Sequence, residues 1–137
     1  PPALTAELRK VHQYNTFCTF TPAQHAFTEM VEQEPGHYLE LGAFYQAKRD
    51  RFRAQLEGTK LRPLPVPGGY FQLVDYSAVS GLDDVAFSRW LTVEHGVAGI
   101  PLSPFYEKPP AGQRLVRLCF AKGEATLDAA IERLGAL

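Results

Sequence analysis

The stretch Leu115-Val116-Arg117-Leu118-Cys119-Phe120-Ala121 decides the fold, because it is an apolar run with one charge inside it. An apolar run of this length is typical of a buried strand. The guanidinium of Arg117 stays protonated at every working pH, and its planar fork matches a carboxylate in two parallel hydrogen bonds. The segment alone favours an internal ion pair with Asp or Glu, since buried charges are usually paired. A bound carboxylate ligand is the alternative.

Strands and helices alternate on both sides of this run. Residues 70–76 and 97–101 have the apolar pattern of strands, whereas residues 83–95 and 126–134 have apolar positions at helical spacing. We predict that the three strands share one sheet with the last helix packed on it, because each strand has an apolar face that needs cover. Gly96 is a natural C-terminal cap for the helix before it. The second half of the chain therefore predicts an α+β layer.

The first half of the chain predicts helices. One helix opens at Pro1-Pro2 and ends near Gln13, and a second begins at Thr21-Pro22-Ala23-Gln24, which has the form of a capping box, and stops before Pro35. Residues 37–56 predict one long amphipathic helix whose basic cluster is a solvated face. Beyond it, Pro63, Pro65 and Pro67 keep any strand short and at an edge, and Gly68-Gly69 allows a sharp turn.

Composition excludes some classes of partner. The 137 residues are 45% hydrophobic and carry a net charge of −1 with interspersed signs, which argues against a nucleic-acid partner or an anionic membrane surface. No apolar run approaches the roughly 18 residues of a membrane span. Cys18 and Cys119 are isolated thiols, so we expect a reduced, cytoplasmic compartment rather than a disulfide framework. The histidines are too scattered to predict a metal site.

Five segments share an order and spacing with a known family. They are Val11-His12-Gln13-Tyr14, Thr21-Pro22-Ala23-Gln24, Pro67-Gly68-Gly69-Tyr70-Phe71, the run from His95 to Ser103, and the run from Arg117 to Leu127. Together they resemble the C-terminal part of class I/II pyridoxal-phosphate aminotransferases, in particular the methionine and kynurenine aminotransferase group. The resemblance spans nearly the whole chain.

The resemblance implies a fold and a set of substrate-binding residues. Residues 36–137 would form the small C-terminal aminotransferase domain, with helices on a small mixed or antiparallel sheet, and residues 1–35 a helical segment of the large-domain junction. Arg117 would bind the α-carboxylate of the substrate. Phe71 would lie beside the bound substrate, and Tyr70 would help to form the side-chain pocket. Ser103 would shape the active-site loop from Pro101 to Tyr106.

The resemblance also implies an activity that this chain does not carry alone. The parent protein would be a homodimer that moves an amino group between an amino acid, methionine-like or kynurenine-like, and a 2-oxo acid on pyridoxal phosphate. The Schiff-base lysine of the family matches none of the chain's lysines, which are Lys10, Lys48, Lys60, Lys108 and Lys122. We therefore predict no catalytic, cofactor-binding or metal-binding residue here and no activity of the chain by itself.

Two other interpretations stay open. The chain could be a non-catalytic α+β module that binds a carboxylate or a protein partner, with Arg117 paired internally or receiving that ligand. It could also be a fragment of a related carbon–sulfur lyase, because that chemistry uses the same cofactor scaffold. If the chain is a fragment, Phe17, Phe20 and Phe27 would have packed on the missing large domain.

Overall fold

The computed structural model describes all 137 residues and divides into two units, Pro1–Leu41 and Gly42–Leu137. The first unit contains three helices, α1 (Pro2–Asn15), α2 (Thr21–Gln33) and α3 (Pro35–Leu39). Each of them has a proline in its first turn, where the missing N–H has no intrahelical acceptor in any case. The prediction that the second helix stops before Pro35 is confirmed.

The helices of the first unit bury no residue. Leu4, Leu8 and Val11 do recur at helical spacing on α1, but each side chain is more than half exposed. Phe27 on α2 is exposed as well. The apolar stripe predicted from the sequence therefore lies at the surface.

The predicted capping box at Thr21-Pro22-Ala23-Gln24 is wrong. Phe20 is the N-terminal cap of α2, and no side chain caps the helix. Thr21 is already helical, so its hydroxyl does not occupy the capping position. Gln24 instead donates from Nε2 to the carbonyl of Thr19 at 3.2 Å.

The predicted helix over residues 37–56 is two helices, α3 and α4 (Leu41–Leu56), interrupted at Glu40. Gly36 and Gly42 flank the break, and glycine is a poor helix former. Only Phe52 and Leu56 of α4 are buried.

The basic residues of α4 do not form the solvated face that the sequence predicts. Arg49 donates to the carbonyl of Val66, and Arg53 donates to the carbonyl of Leu64. Arg51 instead pairs with two acidic residues of the last helix. These three arginines therefore connect α4 to the segment around Leu64 and Val66 and to the last helix.

The second unit contains a four-stranded antiparallel sheet in the order β1-β2-β4-β3. Its strands are β1 (Arg62–Pro63), β2 (Phe71–Asp75), β3 (Ile100–Pro101) and β4 (Leu115–Cys119). The prediction that three strands share one sheet is confirmed, as is the short edge strand among the prolines. The strand predicted over residues 97–101 is much shorter, because the N–H of Val97 bonds the carbonyl of Leu91 and so is lost to the sheet.

One face of the sheet packs against α4, α5 (Asp84–His95) and α6 (Glu124–Gly135). The central strands β2 and β4 alternate between buried and half-buried residues, so Val74, Val116 and Leu118 face this core. Gly96 ends α5 in the left-handed conformation (φ 64°), as predicted. The fold is therefore α+β. None of its helices has both the length and the hydropathy that crossing a membrane requires.

We expect alkaline pH to destabilise the protein through Tyr76. This side chain is fully buried, and burial raises its pKa to about 12. A raised folded-state pKa means that the stabilisation is complete below about pH 10, the unfolded value, and is lost as the pH rises toward 12. Denaturant unfolding should show a lower free energy of unfolding for wild type at pH 11 than at pH 7. This difference should be smaller for Tyr76→Phe. Tyr76→Phe should also lose about 1 kcal/mol at pH 7, because the hydroxyl donates to the carbonyl of Leu82 at 3.0 Å. Equal pH sensitivity of both proteins would contradict this account.

Candidate functional site

Arg117 lies in the middle of β4, opposite Leu73 of β2 and Ile100 of β3. Its neighbours Val116 and Leu118 are buried against the helices, and Arg117 points to the other face, where it is half-buried. The predicted buried strand is therefore buried on one face only. Alternate side chains of a strand face opposite ways, so the apolar run covers one face and leaves the charge on the more open one.

Two aromatic rings hold the guanidinium. Its central carbon lies 4.1 Å from the ring centroid of Phe71 and 5.1 Å from that of Phe105. Phe71 is two residues from Leu73, the direct partner of Arg117, so the two side chains are diagonal neighbours on one face. Such cation–π contacts fix the orientation of the guanidinium without neutralising its charge.

Arg117 has no acidic partner in this structure. None of the five ion pairs includes it, and its buried Nε has no hydrogen-bond acceptor. The internal ion pair favoured by the segment alone is not formed within these 137 residues. A cation with unused donors is left on the open face of the sheet, which is suited to bind an anion.

Tyr70 and Phe71 continue the aromatic surface away from Arg117. Tyr70 precedes β2, is about half exposed, and has its ring 4.5 Å from that of Phe71. Tyr45 of α4 follows at 6.0 Å from Tyr70. The structure thus brings Arg117 and Phe71 into contact and places Tyr70 one ring further out.

Sequence reasoning missed Phe105. It belongs to a 3₁₀ turn, Ser103–Phe105, in the proline-rich loop after β3. The pairing of β3 with β4 brings this loop beside Arg117. An aromatic residue shortly after the neighbouring strand is the one signal that could have indicated it.

Two clefts of the structure lie away from this surface. One of about 580 Å³ is bordered by α6 and the end of α5, and another of about 670 Å³ lies at the start of α5. Neither includes Arg117, Phe71 or Phe105. The candidate site is thus an open surface with an aromatic floor and one cation, which suits a carboxylate attached to an apolar or aromatic group.

Comparison with known proteins identifies the family. Residues 2–134 match the family model of aminotransferase class I and II. The methionine aminotransferase of Escherichia coli (strain K12) is 58% identical over 134 residues, which are 98% of this chain and 34% of that protein. Kynurenine–oxoglutarate transaminase 3 of Rattus norvegicus is 32% identical over 151 residues, covering 96% of this chain and 33% of that protein. The chain therefore belongs to the class I and II aminotransferases, and it spans about one third of the length of these relatives.

Comparison with solved structures leads to the same family. The crystal structure of Escherichia coli YbdL, a methionine aminotransferase, superposes with a TM-score of 0.88 at 57% identity over 100% of this chain and 36% of that chain. N-Succinyldiaminopimelate aminotransferase from Mycobacterium tuberculosis superposes with a TM-score of 0.84 at 33% identity, covering 99% and 35%. The α+β arrangement is that of part of an aminotransferase.

The residues present do not fit the cofactor of the family, pyridoxal phosphate. A lysine that binds it covalently needs a lowered pKa, which burial supplies. No lysine here is buried. Lys48 is half-buried and donates to the carbonyl of Lys122, and Lys60 donates to that of Leu137. No step of the chemistry is therefore assigned to a lysine of this chain.

We expect the isolated chain to bind pyridoxal phosphate only nonspecifically. Incubation with the cofactor, borohydride reduction and peptide mapping should show low labelling spread over several lysines, because none of them is buried. The chain should catalyse no transamination. Stoichiometric labelling of one lysine together with amino-group transfer would contradict the assignment.

Proposed function

We propose that the protein to which these residues belong is a pyridoxal-phosphate-dependent aminotransferase that moves an amino group between an amino acid and a 2-oxo acid. The observation that carries this proposal is Arg117, an unpaired cation held by two rings on the open face of the sheet. Membership of the class I and II aminotransferases supports it.

In this function Arg117 binds the carboxylate. An amino acid and a 2-oxo acid both carry a carboxylate next to the carbon that exchanges its nitrogen, so one guanidinium fork orients both substrates alike. The cofactor, held by residues outside this chain, supplies the electron sink for the exchange. This chain contributes binding and orientation.

Phe71 and Tyr70 form part of the side-chain pocket in this proposal. The rings of Phe71, Tyr70 and Tyr45 adjoin in this order, forming a row whose first ring, that of Phe71, contacts the guanidinium. A substrate held at Arg117 by its carboxylate would place its side chain along that row. An aromatic or long apolar amino acid suits such a surface, and the methionine and kynurenine transaminases among the relatives support this class.

The test is amino-group transfer by the intact protein. Methionine or kynurenine labelled with ¹⁵N is supplied with a 2-oxo acid, and mass spectrometry follows the label into the new amino acid. We expect transfer that depends on added cofactor. Release of a thiol, pyruvate and ammonia from a cysteine conjugate without transfer would instead identify a carbon–sulfur lyase. Failure of both reactions would favour the non-catalytic binding module.

Other features of the intact protein stay predictions. They are the division into residues 1–35 and 36–137, the cytoplasmic location and the homodimer. The exposed Phe17, Phe20 and Phe27 support contact with the remainder of the protein, because large exposed apolar surface usually marks an interface. Sedimentation of the intact protein measures the oligomeric state.

A further inference from the structure

Asp84 is a buried carboxylate that does not provide the side-chain cap of its own helix. It is the first residue of α5 and is only 7% exposed. The capping bond belongs to Asp83, whose Oδ1 accepts from the N–H of Ala86 at 2.8 Å. Asp84 accepts instead from the backbone N–H of Ser103, with 2.6 Å between Oδ2 and N. This contact joins α5 to a loop 19 residues further along the chain.

The loop that Asp84 holds is the turn that carries Phe105. The turn is tight, because the N–H of Phe105 bonds the carbonyl of Leu102 at 2.9 Å and the N–H of Tyr106 bonds that of Ser103 at 3.1 Å. A shift of Ser103 therefore moves Phe105. The ring of Phe105 in turn lies against the guanidinium of Arg117.

The bond from Ser103 is charge-assisted. Burial raises the pKa of the Asp84 carboxyl, but the hydrogen bonds from Ser103 and Leu102 outweigh burial and hold the pKa below its usual value. The carboxylate is thus ionised at neutral pH, and a bond to an ionised acceptor is roughly twice as strong as a neutral one.

We propose that Asp84 is a positioning residue for substrate binding, acting through the turn Ser103–Phe105 to keep the ring of Phe105 against Arg117. This inference rests on the proposed role of Arg117 as the carboxylate-binding residue. The contact with Phe105 restricts the orientations that the guanidinium samples before substrate arrives. Loss of Asp84 then weakens the binding of every substrate that carries the carboxylate, whatever its side chain.

The experiment compares variants of the intact enzyme. Asp84→Ala should raise the KM of both the amino acid and the 2-oxo acid about 10-fold with a smaller change in kcat, because a small misplacement of a binding group costs this much or more. Asp84→Asn keeps an acceptor oxygen without its charge, so we expect a smaller rise of about threefold. Asp83→Ala is the matched control, since it removes the cap of the same helix but no bond to the turn. It should lower the melting temperature and leave both KM values unchanged.

A double-mutant cycle separates positioning from stability. Phe105→Ala should itself raise both KM values. Adding Asp84→Ala to it should cause little further change, because Asp84 acts on Arg117 only through the ring of Phe105, which is already absent. If Asp84→Ala does not fold, Asp84→Asn serves in the same cycle. KM values within twofold of wild type in folded Asp84 variants, or effects that multiply fully with Phe105→Ala, would overturn the proposal. Failure of Arg117→Ala to weaken carboxylate binding would instead refute the proposed function and is measured independently.

Discussion

Replacing Arg117 by lysine in the intact enzyme should lower kcat/KM by on the order of 10- to 150-fold. Lysine keeps the positive charge but loses the planar fork that binds a carboxylate in two parallel bonds. A charge-assisted hydrogen bond contributes roughly 1.5 to 3 kcal/mol, and each 1.4 kcal/mol is about tenfold. Steady-state kinetics with an amino acid and a 2-oxo acid measure the loss, which should affect both substrates.

The melting temperature of the same variant distinguishes binding from structure. Removing one partner of a buried ion pair would cost about 3 to 5 kcal/mol, but Arg117 has no such partner, and its guanidinium lies over two aromatic rings. We therefore expect little change in stability. Arg114→Lys is the matched control, because Arg114 donates to the carbonyl of Gly81 and lies outside the candidate site. A large loss of melting temperature with unchanged kcat/KM would show that Arg117 is structural.

Replacing Phe87 by alanine should destabilise the protein by about 3 to 5 kcal/mol, the usual cost of removing a buried aromatic side chain. Phe87 on α5 is fully buried and stacks on Tyr76, with their ring centroids 3.7 Å apart. The cavity left behind would weaken the packing of α5 against the sheet that carries the site. Urea unfolding followed by circular dichroism measures the change.

The control for Phe87 lies on the same helix. Val93 is 69% exposed, so Val93→Ala should change stability by less than about 0.5 kcal/mol. A loss below about 1 kcal/mol for Phe87→Ala would mean that this contact between α5 and the sheet is not a main source of stability.

The sheet was predictable because its central strands have apolar residues that must pack against another layer. The apolar runs around Val74 and Val116 each required a packed face, and an antiparallel sheet under helices satisfies both. The length of β3 was not predictable, since it depends on the bond that Val97 makes to Leu91 after the helix end at Gly96. The absent side-chain cap of α2 also depends on geometry that a local pattern does not specify, whereas Gly36 and Gly42 were a local signal for the break at Glu40.

The candidate site was predictable only in part. Arg117 draws attention as a lone cation in an apolar run, and the resemblance to aminotransferases indicates Phe71 and Tyr70. Phe105 has only a weak local signal, an aromatic residue shortly after β3, and Asp84 has none, because its importance comes from its bond to the turn that carries Phe105. The sequence did not show that the strand is buried on one face only, with the residues that share the face of Arg117 half-buried.

The most direct test of the central claim is the discrimination between methionine and the amine that lacks its carboxylate. Single-turnover amino-group transfer gives kcat/KM for both compounds in the wild-type intact enzyme and in Arg117→Ala. If Arg117 binds the carboxylate, wild type strongly prefers methionine, and the ratio of the two kcat/KM values falls by about 10-fold or more in the variant. An unchanged ratio in a folded Arg117→Ala enzyme would contradict the account.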